Sequence, residues 1–463
     1  MTGPGVAAGP STGSADPARL WRLAVATLEG NWEHDHTVPS RTLYPHQWSW
    51  DSAFIAIGWA HVHPDRAWTE LTSLFDAQWA DGRVPHIVFN PALPVGSYFP
   101  GPEFWNSALA GAAPAVATSG LIQPPVHALA ALLAYRRAPS ERGRSALRRL
   151  YPRLLAQQRY LATARDVAGD GLAAIVHPWE SGVDNSPAWD APMAAVPADA
   201  AVMSAYRRHD TAHADAAHRP TDLDYARYVA IVASYRDHRY ADDGLAGRHP
   251  WLVECPLLNA AAGAAEHALA DIATLLGADP GPHRQRAARI TEALVRRLYD
   301  PVTGTFHPRD LRTDRLIPAR TALGLMPLLL PDLPAGPAAT VMEEACSARF
   351  GLARRMDRPL PSHDRTAPDF EPLRYWRGPS WLNLAWLLHR GLRAHGRPDL
   401  AAGLRRSMID LVARAGCHEY FHPDTGAGLG SPAFAWTAAL LLDVLADNEP
   451  DDGADGVDGA EPG

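Results

Sequence analysis

The stretch HPWESGVDNSPAWD, residues 177–190, sets Glu180, Asp184 and Asp190 among Trp179, Trp189, a glycine and two prolines. It shows neither strand alternation nor a helical apolar stripe, so it reads as a loop that presents side chains rather than packing them. Apolar neighbours disfavour the charged form of a carboxyl, and Asp184, beside Val183 and between two indoles in sequence, suits a group that holds its proton. Far along the chain, GCHEYFHPDTGAGLG at 416–430 places Glu419 in a second Gly/Pro-rich loop. Two carboxyls in unlike surroundings are what glycosidic cleavage requires. One protonates the leaving oxygen, and the other, ionised, activates water or attacks. Taken singly, each acid is more often a surface or helix-cap residue than a catalytic one.

The fifteen tryptophans divide by context. Trp21, Trp59 and Trp386 stand at core spacing in helical stretches. Trp48 and Trp50 in YPHQWSWDSAF, Trp105 in GPEFWN, Trp179, Trp189, and Trp376 and Trp381 in YWRGPSW stand in loop-like segments beside acids, amides and prolines. Flat indoles cover the apolar faces of sugar rings while carboxylates and amides bond the hydroxyls, so the combination points to carbohydrate. The alternative is a buried aromatic core with acids on the surface.

Helices must position these loops. Apolar residues three and four apart recur in about a dozen stretches, from DPARLWRLAVATL, with Asp16 as N-cap and Pro17 in the first turn, through SAFIAIGWAHV and PARTALGLMPLLL, to FAWTAALLLDVLAD. No strand pattern supports a parallel sheet. The spacing predicts an all-α toroid, with helices as walls and loops carrying the chemistry; an irregular helical bundle fits the pattern equally. We expect disordered tails at 1–15 and 447–463, the latter acidic and Gly-rich, and one catalytic domain over 16–446 with a cap-like insertion at about 178–253.

Composition removes several chemistries. All 43 Lys+Arg residues are arginine, so neither a lysine Schiff base nor a P-loop lysine is available. The net charge of −8 and scattered arginines disfavour nucleic acid. Three separated cysteines fit neither a disulfide framework nor a zinc site, and the histidines of EHDH and HVHP lack ligand spacing. No metal and no cofactor is expected. GAGLG at 426–430 follows no strand, and no Gly-x-Ser-x-Gly elbow occurs. Without a signal peptide or an apolar run long enough to span a bilayer, a cytoplasmic protein is expected, with no membrane partner. A homo-oligomer is compatible with the helical pattern.

Taken in order, YPHQWSWDSAF, VPHIVFNP, YFPGPEFW, QPPVHA, HPWESGVDNSPAWD, RYWRGPSWLNLAWLL and EYFHPDTGAGLGSPAFAWTAALLL resemble glycoside hydrolase family 63, in particular its bacterial glucosylglycerate and mannosylglycerate hydrolases. The resemblance covers about residues 17–446. It implies an (α/α)6 barrel with an inserted cap and inverting hydrolysis of an α-glycosidic bond, with Asp184 as general acid and Glu419 as general base. It further implies a substrate pocket made by Tyr44, Trp48, Trp50, Asp51, Tyr98, Gln123, Trp179, Glu180, Arg219, Tyr225, Tyr375, Trp376 and Trp381, with Glu180 a supporting acid. Among these, Arg219, Tyr225, Tyr44 and Tyr98 would meet a glycerate aglycone, whose carboxylate suits an arginine fork; alternatively Arg219 pairs with Asp222 or Asp224 on the surface. Hydrolysis of neutral di- or oligosaccharides, sugar epimerisation on the same fold and non-catalytic sugar binding are the competing functions.

Overall fold

The computed structural model describes residues 16–198, 208, 211, 215–356 and 358–447. Apart from Asp447, both segments expected to be disordered tails lie outside the described residues, as does much of 199–214 within the expected cap.

The chain alternates outer and inner segments around a closed ring. The inner ones are α2 (Ser49–Val62), α4 (His127–Arg137), α7 (Pro256–Leu276), a 3-10 segment (Ala322–Leu329), α10 (Leu382–Ala394) and α12 (Ala435–Ala446). Each packs on the next, and α12 returns to α2 to close the circle. Outside stand α1 (Pro17–Asn31), α3 (Pro64–Asp76), α5 (Glu141–Thr163), α8 (Gly281–Leu298), α9 (Ala335–Cys346) and α11 (Pro398–Ala415), each against an inner neighbour. Six inner and six outer segments make the (α/α)6 toroid.

Position in the ring explains the residues. Outer helices such as α3 and α8 carry one apolar face, whereas α2 is buried at every residue from Ser49 to Ala60 and α7 along most of its length. Burying such all-round apolar surface is the main driving force for closing the ring. Caps mark the ends: the Asp16 side chain accepts from Ala18 N at the start of α1, as the sequence predicts, and Pro opens α1, α3, α7 and α11. No described helix is long and apolar enough to cross a membrane.

Three sequence expectations change. The helix expected from SAFIAIGWAHV begins earlier, at Ser49, so Trp50 and Asp51 ride on its first turn and not in a loop. PARTALGLMPLLL is 3-10 over Ala322–Leu329, with Pro327 supplying no N–H for an α-helical bond. Finally, α9 has no counterpart among the expected helices. Between α5 and α7 the alternation is interrupted. There, α6 (Asp222–Asp237), opened by a capping box between Thr221 and Asp224, packs on the short helix Pro102–Trp105.

Candidate active site

The N-terminal ends of α2, α4, α10 and α12 surround a cavity of about 800 Å³, including its mouth to solvent. The two-residue strand Gln47–Trp48, paired with Ile87–Val88, and the first turn of α2 bring Trp48, Trp50 and Asp51 to the wall; the segment before α4 brings Gln123; the start of α12 brings Phe434 and Trp436. Asp184 and Glu419, 235 residues apart in the chain (419 − 184), both line this one cavity.

Glu419 precedes the two-residue strand Tyr420–Phe421, which pairs antiparallel with Gly428–Leu429. Its carboxylate is 1% exposed and fully engaged. Oε1 accepts from the Tyr44 hydroxyl at 2.8 Å, Oε2 accepts from Ser431 N at 3.1 Å, and Arg219 Nη1 lies 3.6 Å from Oε1. Gly430 is needed for this: its φ is +67°, and a Cβ there would stand 2.3 Å from Glu419 Oε2. Tyr44 also accepts from Arg219 Nη2 at 2.6 Å and lies 3.1 Å from the Tyr375 hydroxyl. Burial holds both phenols well above their usual pKa, so they remain neutral donors. The Arg219 guanidinium covers the Tyr375 ring at 4.2 Å. Tyr375 itself adopts φ +41°, a conformation rare for a bulky residue and one that is concentrated at functional sites.

Asp184 is half-buried in a turn between two 3-10 segments, Pro178–Ser181 and Pro187–Trp189. The turn is tied on every side. Tyr228 Oη donates to the Asp184 carbonyl at 2.9 Å, Trp189 Nε1 donates to the Val183 carbonyl at 2.9 Å, and the Asn185 side chain accepts from Trp376 N at 3.0 Å. Gly182, at φ +74°, lets Trp50 pass: a Cβ would meet that indole at 2.4 Å.

Asp51 completes a trio of acids. Burial pushes its carboxyl well above the usual range; a bond from its own backbone N–H opposes this, and the negative charges of Glu419, Glu70 and Asp184 add to the rise. A carboxyl kept protonated can both donate to and accept from a sugar hydroxyl. Gln123 Oε1 accepts from Trp50 N at 3.2 Å, which leaves its amide N–H groups for the cavity. Trp179, Tyr98, Tyr225 and Trp376 supply the remaining aromatic wall. Arg219 is 3% exposed and points inward, while Asp222 bonds Arg208 instead, so the surface pairing considered for Arg219 does not form.

Two expected contact residues lie elsewhere. Glu180 is completely buried and does not line the cavity: Arg165 grips it through two bonds of 2.8 Å, and it also accepts from Ile122 N and Val176 N. Trp381 lies behind Trp376, stacked on it at 3.6 Å. Trp105 and Trp189, also taken as loop indoles, are core residues with bonded N–H groups. Sequence reasoning overlooked His86, Trp436 and Phe434, although VPHIVFNP and FAWTAALLL contain them. His86 Nδ1 meets the Ser119 hydroxyl, whose oxygen already accepts from Ile87 N. Burial pulls the imidazole down to about 3, so it faces the cavity neutral. Among the described residues no group of three His, Cys, Asp or Glu is placed to hold a metal ion.

This arrangement provides three carboxyls, Asp51, Asp184 and Glu419, facing one sugar-sized space walled by indoles, with Arg219 beside Glu419. A family model for mannosylglycerate hydrolase MGH1-like glycoside hydrolase domains matches residues 44–437. A mannosylglycerate hydrolase of Rubrobacter radiotolerans is 40% identical over 91% of this chain and 96% of its own length. A glucosylglycerate hydrolase of Mycolicibacterium hassiacum is 36% identical over 94% of this chain and all of its own. The crystal structure of a GH63 mannosylglycerate hydrolase from Thermus thermophilus, in complex with Tris and D-glycerate, superposes with a TM-score of 0.84 at 40% identity, covering 91% of this chain and 99% of that one.

Proposed function

This chain belongs to the mannosylglycerate hydrolase MGH1-like family of glycoside hydrolases, and from that membership we propose that it cleaves an α-linked glucosylglycerate or mannosylglycerate with inversion, releasing sugar and glycerate. Asp184, protonated, gives its proton to the glycosidic oxygen as the bond to the anomeric carbon breaks. Glu419, ionised, takes a proton from a water that attacks the opposite face of that carbon. An inverting pair needs roughly 6.5–9.5 Å between carboxyls to admit the water. Trp50, Trp376 and Trp436 shape the ring pocket, and Asp51, Gln123 and His86 meet its hydroxyls. Arg219, with Tyr44, Tyr98 and Tyr225, receives the glycerate carboxylate.

The observation that carries the acidic-aglycone reading is Arg219, a guanidinium 3% exposed within the cavity wall. One specific feature favours a second reading: the same guanidinium already bonds Tyr44 and lies 3.6 Å from Glu419, so it could serve the base rather than the aglycone, on a neutral substrate. Steady-state kinetics of Arg219→Ala separates the two. The glycerate reading predicts a KM for both glucosylglycerate and mannosylglycerate raised by at least about 10-fold, the size of a lost charge-assisted bond, with a small change for a neutral aryl α-glucoside. Equal losses on all three substrates would remove glycerate from the assignment.

A further inference from the structure

A second cavity opens at the opposite end of the ring, where the inner helices stop. The last turns of α2, α4, α10 and α12 wall a space of about 1040 Å³, including its open mouth. Part of its charge is matched: Arg393 pairs with Asp447, and Asp443 accepts from His61 Nε2 at 3.0 Å and from Trp386 Nε1 at 2.8 Å. Three cationic or donor side chains are not. Arg137, Arg390 and His389 form no hydrogen bond or ion pair among the described residues, yet all three line the space. His389 is 4% exposed, and the Arg390 guanidinium lies 5.0 Å from the centroid of the Trp386 ring; Asp443 and Asp447, in the same wall, attract both without bonding either. Arginines near helix C-termini commonly satisfy the last carbonyls. Among the described residues Arg137 and Arg390 bond no terminal carbonyl, so what they gain from the helix ends is only the attraction of the dipoles' negative ends for a cation.

Unpaired guanidinium groups converging on a concave space are a recognition geometry for multiply charged oxyanions, because their fixed donor forks match phosphate and carboxylate oxygens. We propose that this closed-end cavity is a second binding site, taking a doubly charged oxyanion such as a phosphate group on Arg137, Arg390 and His389. The site stands apart from the sugar cavity, at the far ends of the same helices. Two sources could supply that chemistry: a free phosphorylated or dicarboxylate solute, or the chain's own carboxylates after Asp447, which include Glu449, Asp451 and Asp452.

Inorganic phosphate, compared with chloride at equal ionic strength, is the probe for the full-length chain. Phosphate should raise Tm by about 2 °C at concentrations well above its Kd. Calorimetry should show binding weakened at least about 10-fold in Arg137→Gln and in Arg390→Gln, with phosphate-free hydrolysis unchanged. Arg137 is exposed, so its variant serves even if the more enclosed Arg390→Gln does not fold. A chain ending at Asp447 distinguishes the sources: tighter phosphate binding identifies the terminal carboxylates as competitors, and unchanged binding identifies a free solute. No phosphate-specific shift, or the same affinity in wild type and the Arg137 variant, would overturn the proposal.

Discussion

At the residue scale, the account rests on unlike surroundings for two carboxyls. Glu419 accepts from the Tyr44 hydroxyl and Ser431 N, with the Arg219 guanidinium 3.6 Å away. Asp184 is only half-buried, with its backbone rather than its carboxyl tied to Tyr228. These roles make different demands on the leaving group. Asp184→Asn should lower kcat about 10²–10⁴-fold on glucosylglycerate, whose alkoxide must be protonated, and far less on an aryl glycoside with an acidic leaving group. Glu419→Gln should depress both substrates alike, since water activation is needed in each. Parallel losses for both variants on both substrates would show the roles to be misassigned.

At the element scale, the loop bearing Asp184 is anchored by an ion pair that never touches the cavity. Arg165 and Glu180 are both fully buried, and Glu180 also fastens Ile122, next to Gln123, and Val176. Arg165 would keep its second partner, Asp242, at 3.1 Å, so Glu180→Gln costs the charge-assisted bonds rather than a stranded charge, about 1–3 kcal/mol, read as a lower urea midpoint. A midpoint within error of wild type would mean that the pair is not holding the loop. A different carboxyl ties α2 to α3 and to the segment before α2. Glu70 on α3 accepts from Ser52 Oγ at 2.6 Å and Thr37 N at 2.7 Å, and burial raises it from 4.5 to about 7. A folded-state pKa above the unfolded one means that the native state binds the proton more tightly. That stabilisation is complete below pH 4.5 and fades as pH rises through 7. Glu70→Gln lacks the titration, so its stability deficit relative to wild type should narrow between pH 4.5 and 7. A deficit constant across that range would contradict the assignment.

At the scale of the whole molecule, α2, α4, α10 and α12 start at one cavity, where aligned peptide dipoles favour negative charge on a base or a bound carboxylate. Much of this was legible beforehand. Outer helices show apolar stripes, so an all-helical fold could be read from spacing; the choice of a toroid over an irregular bundle, and of Asp184 and Glu419 among many acids, came from the family resemblance of the strings around them. What escaped has physical causes. Inner helices are buried all round, so periodicity does not mark their ends: Ser49–Ser52 serves the site instead of a stripe, and α2 was read three residues short. A loop's residues face either the cavity or the core, and composition does not say which. Glu180 and Trp381 therefore looked like contacts, while His86 and Trp436 went unnoticed. Facing across space is also invisible in one dimension, and the joint presence of Asp184 and Glu419 in one cavity is what the toroid contributes.

The central claim, that those two carboxyls act on opposite faces of the anomeric carbon, is tested most directly by following hydrolysis of α-linked glucosylglycerate by proton NMR before the released sugar mutarotates. The account predicts that the first glucose formed is the β-anomer; initial release of the α-anomer would contradict it.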